Sequence, residues 1–342
     1  MLIIDEDSLA HNRAFIARLR SLFALTVHVR RRAGLRLASR SRLALREAAL
    51  FARLLASPWP YRRRSLILCS SGHYAALLAG RLSAALGNRT DIVLYNFYLH
   101  GLGERPAVRR LLRVLLSERV CVAAQSRRDL DYFAALGGSA RLTLVPYRQD
   151  PVADVGPEDV VLSDYVFAGG YSNRDYDLLL RCARRLTEIS FVLAVSNLNT
   201  LTEPVPANVV VHRDLEPAAF HRRLACARLV AIPLANDVGA SGQMVCLAAM
   251  QLGKAVLVPD FDGLTQYVED GATGVVYRGG DEAALHDAIE RWFGETDAIE
   301  RIGAAARERY LGHFTRRPFD DALIQEVERV AGIRPTPIPA SS

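Results

Sequence analysis

Short apolar runs alternate with longer amphipathic stretches along most of this 342-residue chain. A run of about four apolar residues between turn residues is typical of a buried strand, and apolar residues recurring every three or four positions predict a helix. In the first half this pattern predicts strands at 66–69, 92–95, 120–123 and 142–145, separated by helices at 74–86, 108–116 and 129–136. Gly87 and Pro106 stand where helix boundaries are expected. The pattern indicates successive βαβ units.

The same alternation resumes after 151–157, a stretch bounded by prolines that we interpret as a linker. Predicted strands follow at 165–168, 191–194, 209–211, 229–232 and 255–258, and predicted helices include 176–186 and 244–252. Strands that alternate with helices of about 10–15 residues predict parallel sheets. We therefore predict an α/β protein with two Rossmann-like, doubly wound parallel-sheet domains, at 1–150 and 151–330, followed by a disordered tail at 331–342.

Composition narrows the class of protein. Half of the residues are hydrophobic, yet no segment approaches the ~18 uninterrupted apolar residues of a membrane span. The chain starts with acidic residues where a signal peptide has basic ones, and its five cysteines are widely spaced without a C-x-x-C pair. We therefore expect a cytoplasmic protein without disulfides. The absence of G-x-S-x-G and G-x-G-x-x-G disfavours a hydrolase and a dinucleotide dehydrogenase of the usual types.

Charge is unevenly distributed. The net charge is +6, but residues 1–150 carry 25 basic and 10 acidic side chains, a net of +15, and the remainder has a net of −9. Eleven arginines lie within 30–64, interleaved with Leu, Phe and Trp, against the single acid Glu47. Such a segment suits an anionic membrane surface, where each basic residue adds about 1 kcal/mol, so we expect peripheral association with the inner membrane. A basic surface over a packed core is the alternative; no nucleic-acid recognition module is visible.

Two loops of the second half follow predicted strands and carry residues suited to phosphate. After strand 165–168 come Gly169 and Gly170, then Ser172 or Asn173 as a predicted helix cap, and Arg174 in the predicted first turn. An arginine there can bind a diphosphate with help from free N–H groups of the helix. The alternative is a capped turn with a solvent-facing Arg.

The second loop precedes the apolar helix 244–252 and contains Ser241, Gly242 and Gln243. A serine and a glutamine at a helix start, with a glycine that opens access to the backbone, suit a phosphate or a sugar. The alternative is an ordinary βα loop, since similar loops occur throughout doubly wound folds.

The sequence around these loops resembles a known family. Phe167–Arg181 (FAGGYSNRDYDLLLR), Ser241–Pro259 (SGQMVCLAAMQLGKAVLVP) and Leu264–Tyr277 (LTQYVEDGATGVVY) are similar to segments of the nucleotide-sugar domain of GT-B glycosyltransferases, especially the group related to retaining family 4. The resemblance covers about 165–330, and it is weak over 1–150. It implies transfer of a sugar from a nucleoside-diphosphate sugar to an acceptor hydroxyl in a cleft between two domains.

The resemblance also implies roles for individual residues. Gly170 and Arg174 match the element that meets the donor diphosphate, and Ser241, Gly242 and Gln243 match the loop that faces the donor phosphates and sugar. Arg213 lies in the segment that matches the base-reading loop. His100, after strand 92–95, matches a histidine beside the transferred sugar, where it would hydrogen-bond the sugar or accept a proton; a structural histidine is the alternative.

The family resemblance further implies no metal and no cofactor besides the donor substrate, and we expect a lipid-linked saccharide or polysaccharide precursor as acceptor. Asp5-Glu6-Asp7 has the spacing of a metal-binding D-x-D, but we interpret it as the acidic cap of a first helical turn.

One feature departs from the family. Its members often carry a glutamate pair spaced E-x₇-E, the second of which binds the ribose hydroxyls. Ala240 and Ala248 occupy these positions in this chain. A second hypothesis follows from this departure, namely a catalytically degenerate GT-B protein that binds a nucleotide sugar or a partner glycosyltransferase without turnover.

Overall fold

The structure is a computed structural model that describes residues 2–5, 13–24, 26–29, 40–56, 64–70, 73–97, 105–152, 154–156, 163–237 and 241–333. The chain divides into two compact units. The N-terminal unit comprises Met1–Gln125, Asp129–Val145 and Asp320–Ser342, and the C-terminal unit comprises Ser126–Arg128 and Pro146–Phe319.

The N-terminal unit contains a parallel sheet whose strands follow the order β2-β1-β3-β4-β5-β6. Its strands are β1 (Leu2–Asp5), β2 (Thr26–Val29), β3 (Arg64–Cys69), β4 (Arg89–Tyr95), β5 (Val120–Ala124) and β6 (Arg141–Leu144). Its helices are α1 (Arg13–Leu22), α2 (Arg40–Ala56), α3 (His73–Ala85), α4 (Pro106–Leu115) and α5 (Arg127–Ala135). Alternate side chains of β3, β4 and β5 pack against α2–α5 in one core. The intervening residues of these strands are buried as well, which is why the central strands are continuous apolar runs.

The C-terminal unit contains a second parallel sheet, in the order β12-β11-β10-β7-β8-β9. Its strands are β7 (Ser163–Gly170), β8 (Ser190–Val195), β9 (Val209–Arg213), β10 (Ala227–Ala231), β11 (Val256–Pro259) and β12 (Val275–Tyr277). Its helices are α6 (Tyr176–Arg185), α7 (Pro217–Cys226), α8 (Gln243–Gln251), α9 (Asp262–Thr265), α10 (Glu282–Gly294) and α11 (Thr296–His313). This is the strand order of a Rossmann fold. The predicted fold class of two parallel-sheet α/β domains is thus confirmed.

Alternate residues of the C-terminal sheet face two separate cores. On β7, Phe167 packs with α8 and α11 on one face, whereas Val166 and Ala168 pack with α6 and α10 on the other. Since helices cover both faces, β7 is buried on both sides.

The final helix, α12 (Arg316–Ala331), begins in the C-terminal unit and continues in the N-terminal unit from Asp320 onward. Within the N-terminal unit Asp321 pairs with Arg18, and Glu326 accepts a hydrogen bond from Thr143 Oγ1 at 3.2 Å. The predicted domain 151–330 includes all of α12, whereas the structure groups the helix from Asp320 onward with the N-terminal unit, where these contacts attach it to α1 and β6. The predicted disordered tail lies outside the described residues from 334 onward.

Three further observations concern the sequence-based predictions. β1, β2 and β12 were not predicted, since strands of three or four residues carry little periodicity. The interpretation of Asp5 as part of a helix cap is wrong, because Asp5 ends β1 and pairs in the sheet with Val29. None of the described helices has both the length and the apolar composition needed to cross a bilayer.

Candidate functional site

The chain order of the C-terminal sheet reverses between β7 and β10, which are hydrogen-bonded neighbours. β7 leads into α6 on one face of the sheet, and β10 is followed by α8 on the other. Doubly wound folds bind their ligands at such a switch point, beyond the carboxyl ends of the strands. The two loops that the sequence singled out are those that follow β7 and β10.

Gly170 and Arg174 form one structural unit in the first loop. The backbone of Gly170 has φ +130°, and a Cβ there would lie 2.3 Å from Nη2 of Arg174 and 2.7 Å from Cζ. A side chain at position 170 would therefore both strain the backbone and displace the guanidinium. Arg174 donates from Nε to the carbonyl of Gly169 at 3.0 Å and from Nη1 to that of Ser172 at 2.7 Å. The guanidinium is fixed over the end of β7.

The predicted local geometry of this loop needs one correction. The helix cap is Asp175, whose carboxylate accepts a hydrogen bond from the amide of Leu178 at 2.9 Å, and neither Ser172 nor Asn173 caps the helix. Since α6 begins at Tyr176, Arg174 precedes the helix and does not lie in its first turn. Arg174 forms an antiparallel bridge with Leu234, so it is held between the loops that follow β7 and β10.

One side-chain and two backbone hydrogen bonds join these two loops. The side chain of Asn173 donates to the carbonyl of Asn236 at 2.7 Å, and the carbonyl of Asn173 accepts from the amide of Ala235 at 3.1 Å. The amide of Asp175 donates to the carbonyl of Pro233 at 3.1 Å. Asn173 has φ +55°, a conformation that Asn tolerates better than most residues. This role of Asn173 was not predicted from the sequence, in which the available signal was an Asn three residues after a double glycine.

The start of α8 lies in the second loop. Gly242, at φ +82°, precedes the helix without a side-chain cap, and a Cβ there would lie 3.0 Å from Cγ2 of Ile232. Gln243 is buried, and its Nε2 reaches the carbonyl of Gly263 at 3.4 Å; Ser241 is half-buried. The first turn of α8 contains no acidic residue, so its N–H groups and its dipole favour an anion. This helix start is suited to a phosphate group.

Arg213 ends β9 at the same edge of the sheet, two strands from β7. It is exposed, and its Nη1 donates to the carbonyl of Asn199 at 3.3 Å. Asn199 in turn donates to the carbonyl of Tyr171 at 3.1 Å, and Asp214, at φ +48°, accepts from the amide of Asn197 at 2.8 Å. The loops after β7, β8 and β9 are therefore connected, and Arg213 belongs to the same edge as Arg174.

Burial changes the protonation behaviour of three side chains around this edge. Tyr176 donates to the carbonyl of Gly170 at 2.8 Å, and burial raises its pKa to about 12, so it stays a neutral donor. Loss of solvent lowers the pKa of Arg174, although an arginine remains a cation at neutral pH. The pKa of His212 is lowered mainly by burial and also by repulsion from Arg223. Its Nε2 is buried and has no hydrogen-bond partner among the described residues.

The structure brings together Gly170, Arg174, Gly242 and Gln243 around one switch point, with Ser241 beside them. His100 and Ala240 lie outside the described residues. Ala248 is buried in the core beneath α8 and offers no polar atom. The roles assigned to these residues stay predictions.

Among the described residues, His286, Asp287 and Glu290 on α10 are the one trio spaced to hold a metal ion. His286 already pairs with Asp287 at 2.9 Å, and both acids are exposed. The expected independence from metal and cofactor stays a prediction.

Comparisons with known proteins find similarity over the segment that carries these loops. Residues 163–295 match the family model described as Glycosyl transferases group 1. A curated relative, the D-inositol 3-phosphate glycosyltransferase of Nocardia farcinica, is 31% identical over 121 residues. That match covers 35% of this chain and 24% of the relative, so the matched stretch spans about a quarter of the relative's length.

Solved structures resemble the chain over nearly its whole length. Sucrose-phosphate synthase from Thermosynechococcus elongatus has a TM-score of 0.68 at 15% identity, with 97% of this chain and 98% of that chain covered. Anabaena Alr3699/HepE in complex with UDP and glucose has a TM-score of 0.66 at 13% identity, with 96% and 99% covered. At such identities the likeness establishes the fold. Residues 163–295 are therefore a group 1 glycosyltransferase domain, within a chain that has the GT-B fold.

Proposed function

We propose that this protein transfers a sugar from a nucleoside-diphosphate sugar to an acceptor hydroxyl and holds the donor's diphosphate at the switch point of the C-terminal sheet. The observation that carries the proposal is the placement of Arg174, fixed over Gly170, beside the loop that leads into the uncapped start of α8. A guanidinium and free helix N–H groups are complementary to a diphosphate. The complex of the similarly folded HepE with UDP and glucose supports a donor of this class.

In the proposed mechanism the bond between the sugar carbon and the phosphate oxygen breaks, the acceptor oxygen bonds to that carbon and loses its proton, and negative charge builds up on the departing diphosphate. Arg174 and the first amides of α8 stabilise that charge from positions that are fixed before the reaction begins. Arg213 and the connected loops after β8 and β9 contact the nucleoside end of the donor. His100, five residues beyond the end of β4, accepts the proton of the acceptor hydroxyl or hydrogen-bonds the transferred sugar. The chemistry requires no metal and no cofactor besides the donor.

The acceptor in this proposal is a lipid-linked saccharide or polysaccharide precursor. The positive charge of residues 1–150 and the arginines within 30–64 favour a substrate at an anionic membrane. Only part of that segment, α2, is among the described residues. Helix α4 adds a second element of the same character, because Leu111 and Val114 are exposed beside the exposed Arg110. Exposed apolar side chains flanked by arginine suit insertion at a lipid headgroup boundary.

Vesicle co-sedimentation tests this location. We expect binding to vesicles that contain anionic phosphatidylglycerol and much weaker binding to neutral phosphatidylcholine. High salt should release most of the protein, because added ions shorten the distance over which charges attract each other, which is about 8 Å at physiological salt. Leu111→Ser should weaken the binding, and the matched control Val205→Ser, an exposed position of the C-terminal unit, should not. Equal binding to both kinds of vesicle would contradict a membrane-located acceptor and favour a soluble one.

Turnover tests the proposed activity. Nucleoside-diphosphate sugars with different bases and sugars are incubated with the protein, and release of the nucleoside diphosphate is measured. We expect one donor to be hydrolysed slowly without acceptor, and the release to fall in Arg174→Ala. Binding without release for every donor would favour the degenerate alternative, which Ala240 and the buried Ala248 motivate, since neither supplies the carboxylate that family members often place there. An absence of binding would contradict the proposed transfer and would leave, of the degenerate alternative, only a protein that binds a partner glycosyltransferase.

A further inference from the structure

A pocket opens at the edge of the C-terminal sheet opposite the proposed donor site. It has a volume of about 650 Å³ and lies beside the amino ends of β7 and β10, where Ser163 and Ala227 begin these strands. Helix α11 forms another wall, through Ile299 and Arg307. The donor site proposed above lies at the carboxyl ends of the same strands, so the two sites are separated by the length of the sheet. A cavity of this size is large enough for a small organic ligand.

Lys254 makes this pocket unusual. It is the only lysine of the chain, and it lines the pocket with 7% of its surface exposed. Its ammonium group has no hydrogen bond or ion pair with any residue that the structure describes, and burial lowers its pKa. The thiol of Cys226 is the neighbour that acts on it electrostatically. Since a buried charge without a partner is costly, an anion in the pocket would stabilise it.

Arg228 supplies a second cation to the same pocket. Its Nη1 is bound by Asp164 at 2.9 Å and its Cζ lies 4.9 Å from the ring of Phe293, which fixes the side chain. Its Nε, however, is buried and has no hydrogen-bond partner among the described residues. Its Nη2 donates to Oγ1 of Thr296 at 2.5 Å. Asp164 is 81% exposed and the lining acids Glu300 and Glu308 are exposed as well, whereas the side chain of Arg228 is 23% exposed and Lys254 is buried, so these two cations are less exposed than the carboxylates.

We propose that this pocket binds a small organic anion, with the charged group on Lys254 and Arg228 and an apolar body against the pocket wall. The apolar part of that wall consists of side chains with no polar atoms, namely Ala227, Ala255, Ile299, Ala304 and Leu311. A phosphate or carboxylate head satisfies the interior cations, and a hydrocarbon portion replaces water along the wall. The proposal does not depend on the function proposed for the carboxyl-edge site.

The single lysine permits a direct test in the intact protein. An amine-acylating reagent modifies only Lys254 and the N-terminal amine, and peptide mass spectrometry measures the two rates separately. Hexyl phosphate serves as the probe, with hexanol and inorganic phosphate as its two halves. At about ten times its Kd, hexyl phosphate should slow the acylation of Lys254 about tenfold and leave the N-terminal amine unchanged. Hexanol and UDP should protect neither amine, and inorganic phosphate should protect Lys254 only weakly.

Calorimetry with hexyl phosphate provides the matching measurement. Lys254→Met should remove the heat of binding while the protein stays folded, because it replaces a buried charge by an apolar chain of similar length. Arg301→Gln, on α11 but outside the pocket lining, should bind as the wild type does. Equal protection by hexanol and hexyl phosphate, or binding that persists in Lys254→Met, would overturn the proposal. If Lys254 is not acylated even without hexyl phosphate, calorimetry alone decides, and the absence of any heat of binding by the wild type would overturn the proposal.

Discussion

Arg174 is held in its position by the protein's own backbone before any ligand is present. Two of its N–H donors bind the carbonyls of Gly169 and Ser172, and the absence of a side chain at Gly170 leaves room for the guanidinium. Its Nη2 has no partner among the described residues. A cation fixed in this way loses little conformational entropy when it binds a diphosphate. Arg174 is therefore arranged for binding more than for stability.

Replacement of Arg174 tests that assignment. We expect Arg174→Ala to weaken nucleoside diphosphate binding by about 1.5–3 kcal/mol, the usual worth of a charge-assisted hydrogen bond, and to change the melting temperature little. Arg184→Ala serves as the control, since Arg184 lies at the far end of α6 and pairs with Glu203. Unchanged affinity together with a large loss of stability would show that Arg174 is structural.

Alanine substitutions at two glycines separate the effect of backbone strain from the effect of displacing Arg174. An alanine at position 170 meets both a positive φ and the guanidinium of Arg174, whereas an alanine at Gly280, at φ +75°, meets open space. We expect Gly280→Ala to cost about 1–2 kcal/mol of stability without affecting ligand binding. Gly170→Ala should cost at least as much stability and also weaken nucleoside diphosphate binding, measured by calorimetry. Equal ligand affinity in both variants would contradict the role given to Gly170.

At the level of strands and helices, apolar runs located β3, β4, β5, β7, β8, β10 and β11 because these strands are buried along most of their length. The partly exposed edge strands β6 and β9 were located as short apolar runs as well. It did not identify Asp175 as the cap of α6. Several residues in that loop are good caps, and the choice depends on contacts with Pro233 and Asn236, which are distant in sequence. The candidate site could be predicted as two loops at one edge of a sheet, whereas the bonds that join the loops required the structure.

His212 on β9 provides a pH test of the same edge. Burial and Arg223 hold its pKa below the usual 6.5, so the unfolded chain binds this proton more readily than the folded protein does. Stability should therefore fall as the pH drops through about 6.5. We expect the melting temperature of the wild type to decrease more than that of His212→Gln between about pH 7.5 and 5.5. Parallel curves for the two proteins would contradict this environment for His212.

At the level of the whole molecule, two doubly wound units could be predicted from the alternation of strands and helices, but the attachment of α12 could not. Amphipathic periodicity shows that one face of a helix is buried, but it does not show which sheet or helix covers that face. The structure assigns the helix from Asp320 onward to the N-terminal unit, through Arg18–Asp321 on α1 and Thr143–Glu326 on β6. We therefore expect the last helix to contribute to the stability of the N-terminal unit.

A shortened chain tests that assignment. We expect a protein that ends at Phe319 to become sensitive to limited proteolysis around β5 and β6, because these strands lose the contacts of Cys121 and Thr143 with Glu326. The C-terminal unit should still resist proteolysis and bind a nucleoside diphosphate. Unchanged resistance of the N-terminal unit would show that the end of α12 contributes little to it.

The central claim is that the switch point of the C-terminal sheet holds a nucleoside diphosphate, and hydrogen–deuterium exchange tests it most directly. Exchange is measured with and without UDP, GDP, ADP and TDP. We predict that at least one of them slows the exchange of amides in Gly170–Asp175 and at the start of α8, Gln243–Val245, while amides around Lys254 stay unchanged. Absence of protection in both segments with every nucleotide, or protection confined to other parts of the chain, would contradict the claim.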